Sequence, residues 1–327
     1  MTAALLALAL AAGVPAGSVR LRAELAGTAV GAVDLAVSCA GARCEVRYRS
    51  RLRLPAESGG GVADASVEVE VDRDGRYRGG ALRVRRAGAA HAPRAPDGAV
   101  PASLAELVLA AEAPADGAEA CVPFFDEERP LPPRRACARR ERGGALAADV
   151  GGIAVRIVPG PDGFPDEVLV AGRFRYVRDA AAALPREPPR LAGTRIPGPG
   201  DPAAAQAFCG VPLDPAPDAA RAAALPAPSA AGASCREKTA AWLAGARARG
   251  LDGRTAVGAA WDGRGFVWHA WAEVRVGHAW IPVDPSFGER PARGPRFTVA
   301  RFGEHDAAAR DAAGAAIFEC WGTARVE

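Results

Sequence analysis

Lysine is almost missing from this chain: Lys238 is the single example among 41 basic residues, so the basic surface is built from arginine. A net charge of +3 spread over 327 residues, with no interleaving of basic and aromatic residues, offers no stripe of the kind that grips nucleic acid. No internal run reaches the 18 or so apolar residues that a membrane-spanning helix requires. The sequence carries no glycine-rich phosphate loop, no dinucleotide fingerprint and no repeat period, which removes the common nucleotide-dependent chemistries. Neither C-x-x-C nor H-x-x-x-H occurs, so no zinc site and no cofactor are expected. Asp72-Arg-Asp-Gly75 is too short for a calcium loop and is expected to be a turn between strands.

What is present begins with Leu5-Leu-Ala-Leu-Ala-Leu-Ala-Ala-Gly13, a short apolar run followed by the small residues Val14-Pro-Ala-Gly-Ser18. This pattern marks residues 1–16 as a signal peptide, cut near Ala16, although a basic leader is lacking. No cysteine follows the run for lipid attachment, so the expected product is periplasmic or secreted, with no integral membrane segment after removal of the signal. Seven cysteines fit that compartment, and their odd number leaves one thiol over if the others pair. Cys39 with Cys44 could close a hairpin, Cys121 with Cys137 a charged, proline-containing loop, and Cys209 with Cys320 the two ends of the C-terminal domain. Spacing alone does not fix this connectivity; on it, Cys235 is the free thiol.

Composition divides the remainder. Residues 17–184 alternate apolar and charged positions over Val19–Leu25, Val33–Val37, Glu45–Arg49, Val67–Val71 and Ala81–Arg85, and again over Ile153–Val158, Val168–Val170 and Arg173–Val177. One apolar and one solvated face predict an all-β domain, a sandwich or a partial barrel, whose role the residues do not specify. Residues 185–202 contain six prolines and are expected to be a semi-rigid linker. Residues 203–327 hold all six tryptophans and form the expected C-terminal domain.

Three motifs in that domain carry the chemistry. Ser234 and Glu237 make an S-x-x-E capping box, and the alanine-rich run after them ends at Gly250, so Cys235 opens a helix. There the helix dipole favours a thiolate, and the backbone N–H of Cys235 can receive an oxyanion. Phe266–Val276 alternates as a strand that turns at Gly277-His278 into Ala279-Trp-Ile-Pro-Val283. His269 lies on the first strand and Asp284 at the end of the second, so the hairpin can bring carboxylate to imidazole while the other ring nitrogen faces Cys235. Each residue has a structural alternative: a buried inert cysteine, a hydrogen-bonded histidine, an Asp-Pro turn. His278 and His305 are expected at the surface, and Glu273 as an exposed strand carboxylate.

Ala-Ser-Cys-Arg-Glu-Lys, Trp-His-Ala-Trp-Ala-Glu-Val and Trp-Ile-Pro-Val-Asp-Pro, in this order, resemble the core motifs of the transglutaminase-like superfamily. The resemblance covers the last third of the chain, with Ala-Ser in place of the usual residues before the cysteine. It implies an α+β, papain-like core in which a helix-borne nucleophile packs on an antiparallel sheet, with Cys235, His269 and Asp284 as a catalytic triad. No convincing side-chain oxyanion donor precedes Cys235; Gln206 is a weak candidate. The implied reaction is acyl transfer from a peptide or side-chain amide of a protein or peptide substrate. Hydrolysis by a peptidase or amidase is favoured, amine-accepting cross-linking is the alternative, and a catalytically silent binding or scaffolding protein is the non-enzymatic one.

Overall fold

The computed structural model describes residues 13–56, 60–86, 89–91, 95–113, 117–127, 132–229, 231–232, 234–303, 305–321 and 325–327. The apolar run of the expected signal peptide up to residue 12 lies outside them. The chain forms two compact units, Met1–Leu52 with Val62–Pro185, and Arg53–Gly61 with Arg186–Glu327.

The first unit is built on strands β1 (Gly17–Leu25), β2 (Thr28–Ala40), β3 (Arg43–Arg53), β4 (Val62–Asp72), β5 (Tyr77–Arg86), β6 (Ala89–His91) and β7 (Val100–Pro101), helix α1 (Ala105–Glu112), and strands β8 (Glu119–Phe125), β9 (Arg134–Arg140), β10 (Leu146–Val150), β11 (Ile153–Pro159), β12 (Pro165–Val170) and β13 (Phe174–Arg178). They join in one 13-stranded sheet in the order β6-β5-β4-β3-β2-β1-β13-β12-β11-β10-β9-β8-β7, so a single nearly closed sheet replaces the sandwich alternative. The pleat puts Val19, Leu21, Ala23 and Leu25 of β1 on the buried face, and Val33, Leu35 and Val37 of β2 beside them. Residues from β1 to β5 and from β8 and β9 share one core with Leu107, Val108 and Leu109 of α1, which requires the sheet to curl around that short helix. The turn at Asp72-Arg-Asp-Gly75 forms as expected: Asp72 Oδ1 accepts from the N–H groups of Asp74 and Arg76 at 3.0 and 2.8 Å, and Gly75 takes φ +75°.

All six other cysteines pair, Cys39 with Cys44, Cys121 with Cys137 and Cys209 with Cys320, leaving Cys235 free. Cys121 and Cys137 bracket the charged, proline-containing connection as expected, and they face each other across β8 and β9, the strands on either side of it. The sequence between them had concealed two strands because alternation there is interrupted by alanine and paired arginines.

In the second unit come β14 (Arg195–Ile196), β15 (Ala207–Phe208), β16 (Val211–Pro212), α2 (Ala219–Ala222), α3 (Cys235–Arg247), β17 (Gly253–Trp261), β18 (Phe266–Val276), β19 (Ala279–Val283), β20 (Arg296–Phe302) and α4 (Ala307–Trp321). The proline-rich stretch expected as a linker does not stand apart from this unit: Leu191 and Ile196 are buried, and β14 pairs with β18. Proline forbids neither packing nor two-residue strand edges. The segment after β3 also belongs here, with the Ala56 N–H bonded to the Pro189 carbonyl at 2.9 Å. Helix α3 packs Trp242, Leu243 and Ala246 on Ala272, Val274, Ile281 and Val283 of the antiparallel sheet. Among the described residues no helix is long and apolar enough to cross a membrane.

Candidate active site

The site sits where the sheet has a break in its edge. Strand β18 pairs along one side with β14 at Phe266 and Val267 and with β19 from Ala272 to Val276, so residues 269–271 have no strand partner on that side. The first turns of α3 fill the break: Thr239, fully buried, donates its hydroxyl to the Ala270 carbonyl at 3.2 Å. That bond satisfies a carbonyl the missing strand would have taken, and it fixes the helix start over the centre of β18.

The capping box predicted at Ser234 forms in both directions. The Glu237 N–H donates to Ser234 Oγ at 3.2 Å, and the Ser234 N–H donates to Glu237 Oε2 at 2.9 Å. Cys235 is therefore the first helical residue, partly exposed in a cleft of about 640 Å³. Its backbone N–H belongs to the first turn, which has no acceptor inside the helix.

His269, on β18, lines the same cleft and is only 4 % exposed. Its Nε2 is 2.9 Å from Asp284 Oδ2, and Cys235 lines the same cleft, near enough for its sulfur to act on the ring. The three sequence candidates thus meet, with imidazole in the middle. Burial alone would lower the imidazole, but its hydrogen bond to Asp284 and the interactions with Asp284 and Cys235 outweigh that and raise His269 to about 9. The Phe287 ring lies parallel to the imidazole with centroids 4.2 Å apart, which holds the ring plane.

Asp284 is wholly buried at the end of β19. Burial pushes its carboxyl up, yet His269 and Arg296 together hold it below the usual carboxylate range. Its Oδ1 accepts from the N–H groups of Ser286 and Phe287 at 2.9 and 3.0 Å, the Asx turn that Asp-Pro-Ser-Phe encodes. Its Oδ2 also accepts from Arg296 Nη2 at 2.8 Å.

Arg296 was missed by sequence reasoning. It is 3 % exposed on β20 and is shared between Asp284 and Glu289, whose Oε2 is 2.8 Å from the same nitrogen. Arginine is common throughout the chain, and only the pairing of β20 with β17 brings this one behind the histidine. Glu273 is corrected as well. It is buried rather than exposed, held by Arg254 Nε at 2.7 Å from the neighbouring strand β17 and by Arg301 Nε at 3.1 Å from β20 beyond it. Gln206 is exposed, its N–H donating to the Glu327 carbonyl, and it does not line the cleft. His278 and His305 are at the surface as expected.

Compared with known families, residues 212–285 match the transglutaminase-like superfamily, a segment that includes Cys235, His269 and Asp284, and no family model matches the N-terminal unit. No curated protein and no solved structure matches the chain.

Proposed function

With a transglutaminase-like C-terminal region as premise, we propose that this protein is an exported thiol enzyme that transfers the acyl group of a peptide or side-chain amide through a thioester on Cys235. The observation that carries the reading is His269 held between Cys235 and Asp284, with its imidazole raised to about 9. At neutral pH an imidazolium beside the sulfur stabilises a thiolate and supplies the proton the leaving amine needs.

In this mechanism the Cys235 sulfur attacks the amide carbonyl, forming a C–S bond and an oxyanion beside the Cys235 N–H at the positive end of α3. His269 gives its proton to the amine nitrogen, the C–N bond breaks, and the thioester remains. Neutral His269 then takes a proton from water, hydroxide attacks the thioester carbonyl, and the acid and Cys235 are released. Asp284 keeps the ring oriented and compensates its charge in both halves. Water is favoured as acceptor because Cys235 is partly exposed in an open cleft.

Export accords with the three disulfides. Val14 refines the processing point expected near Ala16. It is 5 % exposed in the core of the first unit, and its N–H donates to the Arg73 carbonyl at 2.8 Å. Cleavage after Ala16 would remove this packed residue, which supports a cut ahead of Val14, and the intact mass of the mature protein tests it.

The reaction is tested by following Cys235 alkylation with iodoacetamide against pH in wild type and His269→Ala, and by incubating the protein with a peptide library scored by mass for chain cleavage, deamidation or amine incorporation. The expected result is a Cys235 whose profile moves to higher pH without His269, and products that vanish in Cys235→Ala. Amine incorporation in place of hydrolysis would reassign the acceptor. A Cys235 indifferent to His269, with no product at all, would leave the domain a binding module.

A further inference from the structure

Among the described residues, the curled sheet of the first unit leaves part of its inner face uncovered. A cavity of about 430 Å³ lies among Val33, Tyr48, Val67, Val168, Val170 and Tyr176, within the range of about 300–1,000 Å³ typical of small-molecule sites. Strand parity puts all of these on the inward face, the one that elsewhere packs against α1. Ile153 also points inward on β11, in register with buried Val155 and Ile157, yet it is 44 % exposed because nothing of the described chain covers it at the cavity wall. Tyr48, Val170 and Tyr176 beside it are partly exposed, while Val33, Val67 and Val168 are buried behind them, so the inner face of the sheet offers an apolar wall with an open side to a ligand.

The polar groups in this cavity are mostly acidic. Glu127 is committed to structure: it accepts from the Ala102 and Ser103 N–H groups at 2.9 and 3.0 Å, and from the Ser103 hydroxyl. Arg134, the one cation among the described residues of the wall, lies 5.1 Å over the Phe124 ring and donates to the Gly151 carbonyl at 3.4 Å. Glu106, projecting from α1 into the same space, pairs with no other residue among those described. Glu106 is partly exposed, and desolvation of its carboxyl, with some repulsion from Glu127, outweighs the hydrogen bond from its own backbone N–H and raises it to about 7. Asp126 adds a third carboxyl to the wall.

We infer that this cavity binds an amphipathic amine, with its apolar body against Tyr48, Val67, Val168, Tyr176 and Ile153 and its ammonium on Glu106. An apolar ligand without charge would leave Glu106 unpaired, and an anionic one would meet three carboxyls against one already engaged arginine. A cation supplies the partner the carboxyl lacks and restores the ionised form that burial disfavours. This reading is independent of the chemistry assigned to Cys235.

The test is isothermal titration of the full chain at pH 8 with octylamine, octanol and octanoate, equal in length and different in charge. Octylamine is expected to bind at least tenfold more tightly than octanol, with octanoate the weakest. Glu106→Gln should bring octylamine down to the level of octanol while leaving octanol unchanged. Ile153→Arg, at an exposed position that folding tolerates, should also weaken octylamine at least tenfold by placing a cation in the chamber. In wild type, affinity for octylamine should fall from pH 8 to pH 6 as Glu106 takes up a proton; the other titratable or charged groups of the wall are Asp126, Arg134, Tyr48, Tyr176 and Glu127, whose carboxyl burial pushes up against the pull of its donors. Equal affinities for the three probes, no binding of octylamine, or octylamine binding unaltered in both variants would overturn the inference. Melting curves of both variants establish that any loss occurs in folded protein.

Discussion

Arg296 Nη2 lies 2.8 Å from Asp284 Oδ2, the same oxygen that stands 2.9 Å from His269 Nε2. One buried carboxylate oxygen thus joins the imidazole to a guanidinium that is itself anchored by Glu289 and by the Gly294 carbonyl at 2.8 Å. The arrangement makes Asp284 rigid without leaving it uncompensated whenever His269 is neutral. Arg296→Ala leaves a buried carboxylate without its permanent cation, which typically costs about 3–5 kcal/mol. Denaturant unfolding should show a loss of that size, and Arg296→Lys, which keeps the charge but not the fork, a smaller one.

His269 gives stability a defined pH dependence. Its folded-state value of about 9 lies above the ordinary 6.5, so the stabilisation it contributes is fully present below pH 6.5 and is lost as pH rises through about 9. Taken with 1.36 kcal/mol per unit, this is at most about 3 kcal/mol. Urea unfolding of wild type and His269→Gln at pH 6 and pH 9.5 should show a gap that narrows at the higher pH; a constant gap would mean that the imidazole is not charged in the fold.

Glu106 acts in the opposite sense. A carboxyl raised to about 7 from 4.5 binds its proton more tightly folded than unfolded, so its effect is to lower stability as pH rises from about 4.5 to about 7. Glu106→Gln should therefore raise the melting temperature at pH 8 and change it little at pH 4.5, measured by circular dichroism without ligand.

The Cys209–Cys320 bridge spans 111 residues and ties the segment after β15 to α4. Loops of that length give the largest entropic effect on the unfolded chain, so the Cys209→Ser/Cys320→Ser variant should lose about 2–5 kcal/mol in denaturant unfolding. The alkylation of Cys235 should be preserved in this variant, since the bridge does not reach the cleft.

Much of the helix start and the hairpin was legible because local rules govern them. Ser234 and Glu237 lie within one turn, and Phe266–Val283 is a strand, a tight turn and a strand, so their geometry follows from short-range sequence. The same holds for the Cys39–Cys44 pairing across one hairpin. Arg296 and Glu273 were not legible, because their burial depends on how β18, β17 and β20 follow one another in the sheet, and that antiparallel order is a long-range choice. The strands around Cys121 and Cys137 escaped because alanine and arginine weaken the alternation on which strand recognition rests.

The sequence by itself determined that Cys235 opens a helix, that His269 and Asp284 lie on the arms of one hairpin, and that a β-rich region precedes them, since each depends on capping, periodicity or turn chemistry within a few residues. Only the tertiary structure decided that imidazole stands between thiol and carboxylate, that Arg296 closes the chain of charge behind them, and that the first unit curls far enough to leave Glu106 facing an unfilled apolar chamber. Those relationships depend on strand order and sheet curvature, which are set by packing summed over the whole unit and are written in no single stretch of residues.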